Sequence, residues 1–200
     1  MSKPIRNGLI AFLAALIVII GAFFYQQFHS EPGTEQASVA IGGPFALTDQ
    51  NGAVRRDADF RGKLMLIYFG YTFCPDVCPT TLQDIAHWIT LLGSAANQLN
   101  YIFVTIDPQH DTPRQLHAYL SSFDRRIRGF TGTSSEITRI AKEYGVYFKR
   151  VPGVGGTYSE DHSSRIYLMD GSGKFIDTIG YQEPDESAMR KIELLIARGR

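Results

Sequence analysis

The chain has 200 residues, with 20 basic and 20 acidic side chains and a formal net charge of zero. That length suits one domain plus an anchor rather than two full cores. The basic residues are scattered with no clustered face, which argues against a nucleic-acid partner.

Residues 9–25 form an uncharged apolar run of about 17 residues, roughly 25 Å as a helix and near the lower limit for a bilayer span. Lys3 and Arg6 precede it, and Glu31 and Glu35 follow. This asymmetry predicts a single transmembrane helix with its start in the cytoplasm and the rest of the chain across the membrane. A cleaved signal peptide would have a shorter core and a small-x-small site, and no clear one follows. Either arrangement exports the domain. Residues 1–28 are therefore expected to be a cytoplasmic stub and anchor. Residues 29–42, rich in Ser, Glu, Pro and Gly, are expected to be a linker, and residues 43–200 the folded domain.

Within the domain, residues 44–48 and 53–55 flank Asp49-Gln50-Asn51-Gly52, and Asn-Gly between short alternating runs predicts an N-terminal β-hairpin. Residues 64–69 read as a strand buried on both faces. From about Pro79 to Leu92, Leu82, Ile85, Ala86, Ile89 and Leu92 recur at helical spacing. Residues 101–106 form a second buried strand, ended by Asp107-Pro108. A helix follows from the Thr112 cap, with Pro113 in its first turn, to about Phe123. Another runs from Ser134 to Tyr144 and closes at Gly145. Residues 146–149 read as a short strand and 151–161 as an irregular, Gly-rich stretch. Residues 164–169 and 174–179 form a hairpin, and a last helix spans about Asp185 to Ala197. Strands alternating with helices, then a hairpin and a helix, predict an α/β fold: a thioredoxin-like mixed central sheet flanked by helices.

The two cysteines of the chain lie in Phe73-Cys74-Pro75-Asp76-Val77-Cys78-Pro79. They sit where a central strand hands over to a helix, the edge at which open α/β sheets place their sites. A helix start favours the thiolate, the form that binds soft metals and exchanges disulfides. The pair is thus suited to holding a metal or to cycling as a redox-active disulfide. A purely structural bridge would close a very short loop and remove little unfolded-state entropy. Two thiolates suit Cu(I) or Zn(II), imidazole is acceptable to copper as Cu(I) or Cu(II), and a complete site needs at least one more donor.

Among the histidines, His29 falls in the linker, and His87 and His117 lie within helices. His110 follows the strand ending at Asp107 and can approach the same sheet edge. His162 is the favoured donor, because in a thioredoxin-like fold its position faces the cysteine loop. Gly153, Gly155 and Gly156 would let its arm move. Asp76, Asp107, Asp111 and Asp161 are candidates for orienting the ligands rather than binding a soft ion, since carboxylates are hard donors.

Four segments carry a resemblance to a known family: Gly70-Tyr71-Thr72-Phe73-Cys74-Pro75-Asp76-Val77-Cys78-Pro79-Thr80, the run from Thr105 to Pro113, Gly129-Phe130-Thr131-Gly132, and Asp161-His162-Ser163. The chain resembles the SCO/SenC proteins, membrane-anchored thioredoxin-like copper-binding factors, from about Gly43 to its end and in its anchor. The resemblance implies copper ligands at Cys74, Cys78 and His162. It also implies copper delivery, or thiol reduction, during assembly of the dinuclear copper centre of cytochrome c oxidase. The implied partners are the copper-binding subunit of the oxidase, an upstream copper donor and a thiol reductant. The implied location is the inner membrane, with the domain in the periplasm. His110 departs from the pattern, for the family often has Arg there.

A metallochaperone is the leading expectation. A thiol-disulfide oxidoreductase is the second, making enzyme activity an open question. A thiol peroxidase fits the fold, but Thr72 lies at the wrong spacing from Cys74.

Overall fold

The structure is a computed structural model, and it describes residues 15–25, 41–153, 155 and 157–199. Contacts divide the chain into two units, Met1–Val39 and Ala40–Arg200. In the first unit, residues 15–25 are an exposed helix. Among the described residues no helix is long and apolar enough to cross a membrane. Residues 9–14 of the expected span, and most of the expected linker with His29, lie outside them.

In the second unit the expected hairpin forms: β1 (Ala46–Asp49) pairs antiparallel with β2 (Val54–Arg56). The Asp49 carboxylate accepts from the N–H groups of Asn51 and Ala53, both at 2.9 Å. Gly52 takes φ +86°, a conformation that favours glycine over residues with a Cβ. Then β3 (Leu64–Gly70) is buried along its whole length. Its alternate residues face opposite ways. Tyr68 packs 6.0 Å from Phe103, while Phe69 lies 5.4 Å from Tyr144 and 5.8 Å from Tyr167. Covering both faces is what makes this strand apolar throughout.

The helix α1 (Val77–Leu92) buries Leu82, Ile85 and Ile89, three of the residues that marked its apolar face. It starts two residues earlier than expected. Next come β4 (Leu99–Thr105) and α2 (Pro113–Leu120), whose Thr112 cap accepts from the Gln115 N–H at 3.2 Å. After it β5 (Ile127–Thr131) pairs parallel with β4 and antiparallel with β1. The sequence reading missed this strand because Arg128 and Gly129 interrupt its apolar pattern. Arg128 instead lays its guanidinium 4.9 Å from the Phe60 ring centroid.

The helix α3 (Ser134–Glu143) is capped by Thr133, one residue before the expected start, in a reciprocal box with Glu136. Strands β8 (Ile166–Met169) and β9 (Phe175–Ile179) and helix α4 (Asp185–Arg198) complete the unit. The mixed sheet has seven strands in the order β2-β1-β5-β4-β3-β8-β9, with β3, β4 and β5 parallel. The Trp88 indole N–H donates to Asp185 at 2.8 Å and joins α1 to α4.

The strand expected at residues 146–149 is present, shifted along the chain, as β6 (Phe148–Pro152), and the stretch read as irregular holds its antiparallel partner, β7 (Tyr158–His162). Arg150 stands opposite Glu160, and its Nε–H donates to that carboxylate at 2.7 Å. The charged pair supplies the cross-strand contact that apolar residues supply elsewhere.

Glu183 secures the end of β9 to α4. It accepts from the Gly180 N–H at 2.9 Å, the Ser187 hydroxyl at 2.6 Å and Lys191 Nζ at 2.9 Å. Burial raises its pKa, but Lys191, Ser187 and Gly180 together outweigh this and hold it at about 2. A depressed carboxylate adds stability that is present above its unfolded pKa and lost as pH falls through the folded value. Glu183→Gln should therefore cost about 1 kcal/mol at neutral pH and flatten the loss of stability between pH about 4.5 and about 2. Urea denaturation midpoints measured against pH check this, and an unchanged acid slope would contradict it.

Candidate metal centre

The chain leaves β3 at Gly70 and reaches α1 through a turn that the Cys74 N–H closes onto the Tyr71 carbonyl at 3.3 Å. Cys74 is half-buried in this turn, and Cys78 lies fully buried in the first turn of α1. The Cys78 backbone N–H donates to Cys74 Sγ at 3.3 Å, and the Asp76 N–H faces the same sulfur. These are donors that a helix start leaves without intrahelical partners. Both cysteines are free thiols.

A buried carboxylate holds the turn in place. Asp111 accepts from the Thr72 N–H at 3.0 Å, the Thr72 hydroxyl at 2.6 Å and the Thr105 hydroxyl at 2.6 Å. It thus ties the residue two before Cys74 to the end of β4. Burial pushes the Asp111 pKa up, against the pull of its threonine partners.

His162 is the last residue of β7, opposite Phe148. Its Nδ1 lies 3.0 Å from the Ser163 carbonyl, which only accepts, so Nδ1 carries the proton and Nε2 keeps a free lone pair. Nε2 lies 3.6 Å from Cys78 Sγ, although the two residues are 84 positions apart. The Tyr71 ring packs edge-on against the imidazole at 5.9 Å. All three donor atoms of Cys74, Cys78 and His162 fall within 4.8 Å of one another. Donors bound at about 2.0–2.3 Å to one ion sit about 3.5–4 Å apart, so this set fits a thiophilic ion with little rearrangement. Cys74 and His162 line a shallow cleft of about 230 Å³, together with Tyr71, Pro75, Val77 and Asp161 among others.

The sulfurs differ. A hydrogen bond from the Cys78 thiol outweighs burial and, with the Cys78 and Asp76 N–H groups, brings the Cys74 pKa down to about 4. The same hydrogen bond, in which Cys78 is the donor, together with burial, pushes the Cys78 thiol far up. In the reduced, metal-free protein Cys74 should be alkylated by iodoacetamide at a rate nearly independent of pH between about 6 and about 8, and faster than Cys78. An unperturbed thiol gains nearly tenfold per pH unit over much of that range. Peptide mass spectrometry reads both sites, and such a rise at Cys74 would contradict the assignment.

The other candidates lie elsewhere. Asp107 is buried and faces the hairpin, accepting from Arg150 at 2.7 Å and from the Tyr158 hydroxyl. His110 approaches Asp107 at 3.0 Å and the Tyr158 hydroxyl at 2.6 Å rather than either sulfur. Asp107 therefore clips the arm that carries His162 to the loop after β4. Asp76 and Asp161 have exposed side chains at the cleft rim, and Asp76 faces Cys74 through its backbone only. His87 lies 3.8 Å from Asp185 on the far part of α1, and His117 is on the exposed face of α2. The sequence reading missed Arg150, Tyr158 and Glu160, which dock the arm. The alternation of Arg150 and Glu160 along two facing strands was the available signal.

A thioredoxin-like sheet with two thiols and an imidazole converging at the end of a central strand defines a thiol-based soft-metal or redox protein. Comparison with known proteins narrows this. The chain belongs to the SCO1/SenC family, whose model matches residues 33–197. The mitochondrial protein SCO2 of Saccharomyces cerevisiae is 40% identical over 208 aligned positions, covering 95% of this chain and 69% of that protein. Copper-bound ScoI of Bradyrhizobium japonicum is 44% identical with a TM-score of 0.73, over 78% of this chain and 99% of that one. Copper-bound yeast Sco1 gives 37% identity and a TM-score of 0.73, over 79% of this chain and 89% of that one.

Proposed function

We propose that this chain is a copper metallochaperone that holds the ion through Cys74, Cys78 and His162 and passes it on by ligand exchange. The observation that carries the reading is the convergence of the three donor atoms within 4.8 Å, with the imidazole lone pair free. Soft sulfur with one imidazole suits copper in the reduced state. The open cleft leaves room for an incoming ligand from an acceptor. Family membership and the copper in the two relatives support this cargo.

The acceptor we propose is the copper-binding subunit of cytochrome c oxidase, during assembly of its dinuclear centre, with an upstream copper donor and a thiol reductant acting before it. The domain is held outside the cytoplasm by an inner-membrane anchor at residues 9–25, joined by the linker at residues 29–42. The apolar run, the flanking charges and the helix over residues 15–25 support that anchor.

The test is Cu(I) titration of the reduced full chain in detergent, followed by X-ray absorption. The expected result is one ion bound through two sulfurs and one nitrogen. No stoichiometric uptake, or sulfur-only coordination, would overturn the site. The thiolate character and partial exposure of Cys74 favour a second reading, a thiol-disulfide oxidoreductase that reduces the cysteines of the oxidase subunit.

A further inference from the structure

Beside Cys78, and not lining the cleft, stands Tyr68. It lies on β3 two residues before Gly70, and both it and Cys78 have no exposed surface. Its hydroxyl is buried and makes no hydrogen bond among the described residues. A buried donor without a partner costs about 1–3 kcal/mol, so its retention calls for a physical reason.

Gly70 shows how close the phenol and the sulfur come. A Cβ placed there would lie 2.9 Å from Cys78 Sγ, 2.9 Å from Phe103 Cε2 and 3.2 Å from Tyr68 Cε1. The missing side chain leaves the space in which the sulfur and the phenol edge meet. Hydroxyl and sulfur are close enough to interact. The Thr81 hydroxyl, another polar group near the phenol, donates to the Val77 carbonyl at 2.8 Å and forms no hydrogen bond with the phenol. A thiol sulfur is a weak acceptor. A thiolate sulfur, the form a metal requires, is a strong one.

We propose that Tyr68 is a positioning residue for Cys78: when Cys78 ligates a metal as thiolate, the buried phenol O–H donates to its sulfur. The buried donor, without a partner among the described residues, then gains one. It orients the sulfur toward the cleft and stabilises the negative charge that the ion draws on. This deepens the metal-site reading and rests on it for the identity of the cargo. Tyr119 is the internal control. Its hydroxyl is also buried without a hydrogen-bond partner among the described residues, so losing it tests the loss of a buried hydroxyl alone.

The experiment compares wild type, Tyr68→Phe and Tyr119→Phe as reduced full chains in detergent. Each is titrated with Cu(I) against a chromophoric chelator, and separately with Cd(II), followed by its sulfur-to-metal charge-transfer absorption. Tyr68→Phe should hold both ions about tenfold more weakly, the scale of one hydrogen bond to a charged group. Tyr119→Phe should stay within about twofold of wild type, because its hydroxyl makes no hydrogen bond to either sulfur. Equal retention by Tyr68→Phe, or an equal loss in Tyr119→Phe, overturns the proposal. Wild type that binds Cd(II) but not Cu(I) sinks the copper reading instead, and the Cd(II) comparison still decides the role of Tyr68. Thermal unfolding of the metal-free variants checks folding, and Tyr68→Phe should be no less stable than wild type, because its hydroxyl has no partner there to lose.

Discussion

Asp111→Ala should lower the unfolding free energy by about 4 kcal/mol, or about 10 °C in Tm, and should loosen the cysteine turn. The carboxylate takes three hydrogen bonds in a site with no exposed surface: two from Thr72 and one from Thr105. Removing it strands one fully buried donor on Thr105 and two part-buried donors on Thr72, each costing up to about 1–3 kcal/mol with partial relief from relaxation. Asp111→Asn separates charge from connectivity. Its amide oxygen can accept from the Thr72 N–H and the Thr105 hydroxyl, while its NH₂ donates to the Thr72 hydroxyl, which can turn to accept. Burial and the nearby Asp107 charge already oppose ionisation at this position. The Asn variant should therefore lose less than about 1 kcal/mol. Urea denaturation of both variants decides, and equal losses would show that charge, not bonding, holds the turn. The Ala variant should also retain Cu(I) more weakly, because Thr72 stands two residues before Cys74.

The parts of this molecule written in local pattern were readable from sequence, and the parts written in long-range contact were not. Asn51-Gly52 announced the first hairpin, and the apolar run of β3 announced a central strand. Thr112-Pro113 placed the start of α2. The cysteines were legible because both sit on one strand-to-helix junction. The hairpin of β6 and β7 was not, because its strands are held by an Arg150–Glu160 ion pair and by Asp107 rather than by an apolar face. The glycines between them read as looseness, although the Gly153 N–H donates to the Thr157 carbonyl at 2.8 Å in the connecting turn. Nor does sequence distinguish Asp107, which docks the arm, from Asp111, which holds the turn. They lie four positions apart, and each role depends on what folds against it. The idle hydroxyl of Tyr68 has no sequence signature at all, since a Tyr in a buried strand is ordinary.

Both acids serve one end. Asp111 fixes where the sulfurs lie, and Asp107 fixes where the imidazole arrives. The site is assembled from two rigid pieces, each anchored on the loop after β4. A soft-ion centre built this way keeps its donors close before the ion arrives, so less ordering entropy is lost on binding.

His162→Ala should weaken Cu(I) retention by about 100-fold while leaving the fold and both thiols in place. The side chain is half-buried at the tip of β7 and makes its one other polar contact to the adjacent Ser163 carbonyl, so its loss opens no core cavity. What it removes is the sole nitrogen donor of the set, and two sulfurs remain for the ion. Added imidazole should recover part of the affinity by occupying the vacated position. The same variant separates the two functional readings when expressed in a strain that lacks the wild-type protein and is grown on limiting copper. Copper delivery requires the third ligand, so oxidase activity should fail to return. Thiol reduction needs Cys74 and Cys78 alone, so a full return of oxidase activity would assign the protein to disulfide exchange and leave copper binding incidental.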